Sequence, residues 1–269
     1  MPTADLSLRD EYAAAVERLA GRTLDALRGV EGTVALADPG TGTVPRPVLA
    51  AARVLGPDLL APRLLGTAGP DEQAVLLLAE AQHAFPPAAL QAPPGPSDGG
   101  ASPVDDAATE DEAALVAAWR DWAVGVLLAR LAEPGAATLG PDGADRTAPR
   151  PGHAPQPRPY AWQAWSVRMA QLSVLALPGL DGPVHDAARA HTLDLARGTV
   201  RSMLRRDHRT AARLARWLAW TSADGRPVPL EVAPVLSRIR IVGDGSARTA
   251  LELAIADAML SAAGTGAAR

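Results

Sequence analysis

The sequence predicts an all-α fold, an irregular bundle of about eight or nine helices with room for a degenerate helical-hairpin repeat. Three observations carry that reading. Apolar residues recur at helical spacing through most of the chain. All six tryptophans fall in W-x-x-W pairs, Trp119/Trp122, Trp162/Trp165 and Trp217/Trp220, and residues three apart share a helix face. An arginine comb, Arg197, Arg201, Arg205, Arg206, Arg209, Arg213 and Arg216, lies between the last two pairs, largely in steps of three or four.

In chain order, the first helix is predicted from about Leu6 to Arg28, with Ser7 as its cap, a stripe through Tyr12, Val16, Leu19, Thr23 and Leu27, and Gly29 and Gly32 beyond its end. A short extended piece, Thr33 to Ala37, meets the turn Asp38-Pro39-Gly40. Helices near Pro47–Leu55 and Pro57–Leu65 follow. Another begins at Pro70, with Asp71 and Glu72 in the dipole-favoured first turn, and runs to about Phe85.

Residues 86–103 and 134–159 are rich in Pro and Gly and hold too few large apolar groups to offset the entropy of ordering them, so they read as flexible linkers. Between them, in 104–133, a helix from about Glu110 to Ala132 starts at a Thr109/Glu112 capping box. Its apolar face (Leu115, Trp119, Trp122, Val126, Leu127, Leu131) requires a docking partner. Residues 1–85 form an N-terminal helical part and 160–269 a C-terminal helical core, together one composite domain. That core is expected to hold helices from Tyr160 to before Pro178, from Pro183 to about Arg206, and from His208 to Ser222, the last capped by Asp207 and ended by Gly225. Val228–Val242 is ambiguous: Ile239, Ile241 and Val242 favour a strand, yet the neighbouring segments are helical. Ser246 caps a final helix through Leu251, Leu253, Ile255 and Leu260, leaving a loose tail from Gly264. The segments Ala118–Val124 and Ala161–Val167 share the W-x-x-W pattern that suggests the repeat.

Composition bounds the chemistry. The hydrophobic fraction is 48% but aromatics are 3%, so each tryptophan supplies far more buried area than its Ala, Leu and Val neighbours. With no cysteine, disulfides, thiolate metal sites and cysteine nucleophiles are excluded. All 26 basic residues are arginine and asparagine is absent too, which points to a high-GC genome of the actinobacterial kind and cautions against reading every arginine as a phosphate ligand. A net charge of −4 argues against a protein that coats nucleic acid as a whole. The polar N-terminus is unlike a signal peptide, and no apolar run approaches the ~20 residues of a membrane span. The expectation is a soluble cytoplasmic protein without a membrane partner.

Candidate sites rest on the comb and the tryptophans. Arg197, Arg201 and Arg205 are spaced i, i+4, i+8; Arg209, Arg213 and Arg216 continue on the next helix. Arg213 precedes Trp217 by four residues and Arg216 precedes Trp220 by four, a spacing that lays each guanidinium over an indole. The comb either binds phosphates, of nucleic acid or a phosphorylated ligand, or is a solvated face paired with the acidic cluster Asp105, Asp106, Glu110, Asp111 and Glu112. Trp217 and Trp220 are either core or a groove for a partner helix. Glu80-x-x-His83 is half of a di-iron ligand set without its second copy. The loop Gly243-Asp244-Gly245-Ser246 lacks the third glycine of a dinucleotide fingerprint and the Gly-Lys of a P-loop, and reads as a turn and cap. His185-Asp186 resembles the metal-binding pair of HD-type phosphohydrolases. That resemblance covers two residues and implies an upstream histidine and a distant aspartate, for which His83 or His153 and Asp244 or Asp257 have the right order. His153 in a Pro-rich segment and His185 at a helix start depart from the pattern.

No catalytic motif stands out, while amphipathic faces are plentiful. The expected function is therefore a non-enzymatic helical scaffold or adaptor that engages a protein partner or itself. Arg197, Arg201, Arg205, Arg209, Arg213, Arg216, Trp217 and Trp220 are the interaction residues, with no catalytic residue, metal or cofactor expected. A nucleic-acid-associated regulator using residues 197–216 and an HD-like phosphohydrolase are the alternatives.

Overall fold

The computed structural model describes residues 3–30, 44–66, 72–86, 104–132 and 161–267. They form α1 (Thr3–Leu27), α2 (Arg46–Leu55), a 3₁₀ turn (Gly56–Leu60), α3 (Ala61–Leu64), α4 (Glu72–Ala84), α5 (Val104–Ala132), α6 (Trp162–Gln171), a second 3₁₀ turn (Ser173–Leu175), α7 (Pro183–Ala190), α8 (Thr192–Leu204), α9 (His208–Ala223), α10 (Val232–Val242) and α11 (Ala247–Ala267). No strand occurs among the described residues. The extended piece at Thr33–Ala37, the Asp38–Gly40 turn, and linker residues 87–103 and 134–159 lie outside them.

The bundle is assembled around α9. Every position from Leu214 to Thr221 is buried, the pattern of a helix covered on all sides. Alanines at 211, 212, 215 and 219 keep its surface thin, so α8, α11, α6 and α10 all pack directly on it. At one point the approach is too close for any side chain: a Cβ on Gly198 of α8 would stand 2.7 Å from Ser166 Cβ and 3.0 Å from Leu214 Cδ1. Outward from α11 lie α1 and then α2 and α4, and one contiguous cluster of buried side chains runs from Ala15 to Met259. Asp207 caps α9 by accepting from the Thr210 amide at 3.0 Å, and Ser246 Oγ accepts from the Thr249 amide at 3.2 Å at the entrance to α11. Gly225, at φ 75°, ends the α9 region in the left-handed conformation glycine tolerates.

Several sequence expectations are corrected. Residues 232–242, which the sequence leaves open between strand and helix, are helical. Val232, Leu236 and Ile239 are buried at i, i+4, i+7 while Ile241 is 78% exposed, so helical periodicity overrides the β-branched preference of Ile239, Ile241 and Val242. The helix expected from Pro183 to Arg206 is two. His191 leaves the helical region (φ −121°, ψ 37°) between α7 and α8, and its ring packs edge-on to Trp165 at 5.5 Å. The helix expected to end before Pro178 does so at Gln171, and Ser173 just beyond turns its hydroxyl onto Glu252. The α5 helix starts at Val104, which makes Thr109 an interior residue and not a cap. Gly264 stays inside α11; glycine costs a helix only about 0.5–1 kcal/mol relative to alanine.

The α5 helix docks as its apolar face demands. Trp119 and Trp122 are buried in a T-shaped pair 5.4 Å apart, and Trp122 sits under the Gly182 turn, where an added Cβ would meet its ring at 3.6 Å. Arg120 donates to the Gln171 carbonyl at 2.8 Å, Arg130 to the Gly179 carbonyl, and Asp121 pairs with Arg53 of α2. The two W-x-x-W segments thus differ in use: both rings of α5 are core, whereas in α6 Trp165 is core and Trp162 only half-buried.

Candidate docking groove and buried ion cluster

The comb divides three ways. Its last member, Arg216, is fully buried. Nη2 donates to Asp58 Oδ1 at 2.7 Å, Nη1 to Glu252 Oε2 at 2.9 Å and Nε to the Ala176 carbonyl at 3.1 Å. Ser173 Oγ donates to the other Glu252 oxygen at 2.9 Å. This centre ties α9, α11 and both 3₁₀ turns together. Burial pushes the Glu252 carboxyl up, but the Arg216, Arg213 and Arg248 charges outweigh it and leave the carboxyl below its usual range. Burial also pushes Asp58 up, and there the Arg216 charge opposes without prevailing. Arg216 itself is held above its ordinary value: burial lowers it, and the two carboxylates more than compensate. The spacing Arg216/Trp220 therefore does not produce the stack it suggests. The guanidinium over Trp220 is Arg189, 4.8 Å from the ring centroid.

Arg213 turns inward too, with Nε 3.6 Å from Glu252 Oε1, and Arg209 is exposed beside Asp244 at 3.5 Å. Trp217 and Trp220 are core. Trp217 donates its indole N–H to the Met169 carbonyl at 2.8 Å, and the two rings flank His185 at centroid distances of 5.5 and 5.0 Å.

Arg197 and Arg201 on α8 and Arg205 at its C-cap remain together, beside a feature the sequence alone did not single out. One stripe of α8 (Leu195, Gly198, Thr199) is buried against α6 and α9. A second apolar stripe, Leu193, Val200 and Leu204 at i, i+7 and i+11, faces solvent, with Leu204 81% exposed. These residues floor a groove of about 740 Å³ whose far wall is Pro229 and Leu230 and whose end is Trp162. Arg201 lies over the Trp162 ring at 5.7 Å and Arg197 pairs with Asp194 at 3.1 Å. Arg197, Arg201 and Arg205 also line the groove. The signal that could have revealed it is the second stripe itself, since a helix packed on one side needs only one.

His185 is fully buried, its Nε2 2.9 Å from the Leu175 carbonyl, so the neutral ring donates from that nitrogen. Asp186 points away and pairs with Arg189, while Glu80 and His83 are exposed on α4 and His153 lies outside the described residues. No group of three or more His, Asp or Glu among the described residues is placed to hold a metal ion, so among them no ligand set forms around His185 and Asp186. Burial instead pushes the His185 pKa down to about 4. As pH falls below ~6.5 the unfolded chain takes up a proton that the native ring refuses until about 4. Stability supplied by the neutral ring should therefore be lost across that window, by roughly 3 kcal/mol at its lower end. Urea unfolding of the wild type and His185→Gln at pH 7 and pH 4.5 checks this. The wild type should show the steeper decline, and equal slopes would contradict it.

No helix among the described residues is long and apolar enough to cross a membrane. Comparison of the chain with protein-family models, with curated proteins and with solved structures gives no match.

Proposed function

We propose that the protein is a non-enzymatic helical adaptor whose α8 groove docks an amphipathic helix of a partner protein, acidic along the edges of its apolar stripe. The observation that carries this reading is the exposed Leu193–Val200–Leu204 stripe, a 3–4 seam of the kind one helix offers another. Burying such side chains releases about 1.5–3 kcal/mol each when complete. The 13 residues of α8 present roughly 20 Å of surface at 1.5 Å per residue, enough for three to four turns of partner. Arg197, Arg201 and Arg205 select for acidic flanks. They also disfavour a second α8 as occupant, since two copies would bring like charges together.

Selection from a library of helical peptides against the full chain should enrich leucines at i, i+3 or i+4, and i+7, flanked by Asp or Glu. The mutation Leu204→Glu should weaken the selected peptides at least tenfold, because it puts a charge into an apolar contact. Binders that are basic, or indifferent to L204E, would overturn the proposal. The three arginines on one face also favour a second reading, a phosphate backbone lying along them. Salt-dependent binding to duplex DNA that survives L204E and is lost on reversing Arg201, Arg205 and Arg209 would establish that reading in its place. The apolar floor favours the peptide, since a phosphate backbone gives nothing back for covering Leu193, Val200 and Leu204.

A further inference from the structure

Around the buried centre the charges do not balance. Arg216 holds Asp58 and Glu252, Arg213 stands 3.6 Å from Glu252, and the charges of Arg120 and Arg248 act on the same two carboxylates, which are already engaged. Asp58 Oδ1 and Glu252 Oε2 accept from Arg216, and Glu252 Oε1 accepts from Ser173. The three remaining arginines come from three helices, Arg120 from α5, Arg213 from α9 and Arg248 from α11, and each is partly open to solvent. Arg120 satisfies one Nη2 at Gln171, but its Nε is buried with no hydrogen-bond partner. Arg213 stands 3.6 Å from Glu252, beyond a good hydrogen bond. Arg248 has no hydrogen bond or ion pair among the described residues.

We propose that Arg120, Arg213 and Arg248 form an anion site for a dianionic phosphate group, either inorganic phosphate or the phosphate of a small phosphorylated metabolite. Guanidiniums match the paired oxygens of a phosphate in their fork geometry. A dianion cancels the excess of two positive charges, which a monocarboxylate does not. The electrostatics agree. Burial holds Arg120 down to about 10, and the Arg248 and Arg213 charges lower it further. Burial lowers Arg248 as well, with Arg213 contributing. These cations repel one another in a half-dry setting, where repulsion is poorly screened. The site is separate from the α8 groove and does not depend on it.

The test uses inorganic phosphate on the full chain, against sodium chloride at matched ionic strength. Phosphate at millimolar concentration should raise the Tm by about 3–5 °C more than chloride. The Arg248→Gln variant should lose that increment, and in phosphate-free, low-salt buffer it should melt no lower than the wild type, because it relieves repulsion. The Arg197→Gln control, in the groove, should keep the increment. A second readout needs no variant: the wild type should broaden the ³¹P resonance of inorganic phosphate, and glucose 6-phosphate should compete if the natural ligand is a phosphorylated metabolite. Without such competition, free phosphate is the ligand. Indistinguishable phosphate and chloride melts, an undiminished response in R248Q, or an unbroadened ³¹P line would each overturn the site.

Discussion

Replacing Arg216 with methionine is expected to destabilise the fold by about 3–5 kcal/mol, the usual cost of leaving buried charge without its partner. The side chain is fully buried and Asp58 and Glu252 are nearly so, with side-chain exposures of 0%, 4% and 3%. Methionine fills similar space but strands two carboxylates beside each other and leaves the Ala176 carbonyl without its donor. For a chain of this size that loss is a large part of the usual total of 5–15 kcal/mol. Urea unfolding at pH 7 measures it. The triple variant Arg216→Met, Asp58→Leu, Glu252→Leu separates charge from packing: measured in high salt, which screens the partly exposed Arg120, Arg213 and Arg248 left without carboxylates, it should recover most of the loss. If the triple variant is no more stable than R216M, the cost lies in the fit of the guanidinium and not in uncompensated charge.

The helical periodicity and the caps at Asp207, Ser246 and Gly225 were legible because they are local, whereas Ser7 and Thr109, expected as caps, lie inside α1 and α5. Asp207, Ser246 and Gly225 act within three or four residues of themselves, and the structure finds them in those roles. The fate of the comb was not local. Arg197, Arg201, Arg205, Arg209, Arg213 and Arg216 look alike at i, i+4 spacing, yet Arg216 turns inward because Asp58 and Glu252, 158 and 36 residues away, wait for it. One hint was present: Asp58 sits in Pro57-Asp58-Leu59-Leu60 and Glu252 between Leu251 and Leu253. A charge inside an apolar run that must be buried needs a buried counter-charge. The ambiguity over residues 232–242 has the opposite character. There the β-branched Ile239 and Ile241 compete with the period, although only a helix puts those two on different faces.

Groove and ion cluster also explain why so regular a comb serves unlike ends. The α8 helix has neighbours on one side only, so its arginines stay in water beside a bare apolar stripe. The α9 helix is enclosed, so an arginine on it must find carboxylates or reach the edge. Arg213, at the edge, does half of each: it approaches Glu252 and keeps a solvent-facing side.

Truncating Trp119 to alanine is the other large effect expected, and it should be confined to one part of the molecule. Phe or Trp to Ala in a core costs about 3–5 kcal/mol through lost transfer energy and the cavity left behind. Trp119 is 1% exposed and packs against Trp122. Yet α5 meets the body chiefly at the two 3₁₀ turns and through the polar ties of Arg120, Asp121 and Arg130. With its main apolar anchor gone, α5 should open as a unit while α9 and α11 keep their packing. Amide hydrogen exchange should then show Ala123 to Leu128 losing protection by orders of magnitude, with Leu214 to Trp220 little changed. The substitution Trp119→Phe should cost far less, because the indole N–H it removes is buried without a partner. Equal loss of protection in α5 and α9 would mean that α5 is integral to the core and that its tryptophans anchor the whole bundle, not one helix.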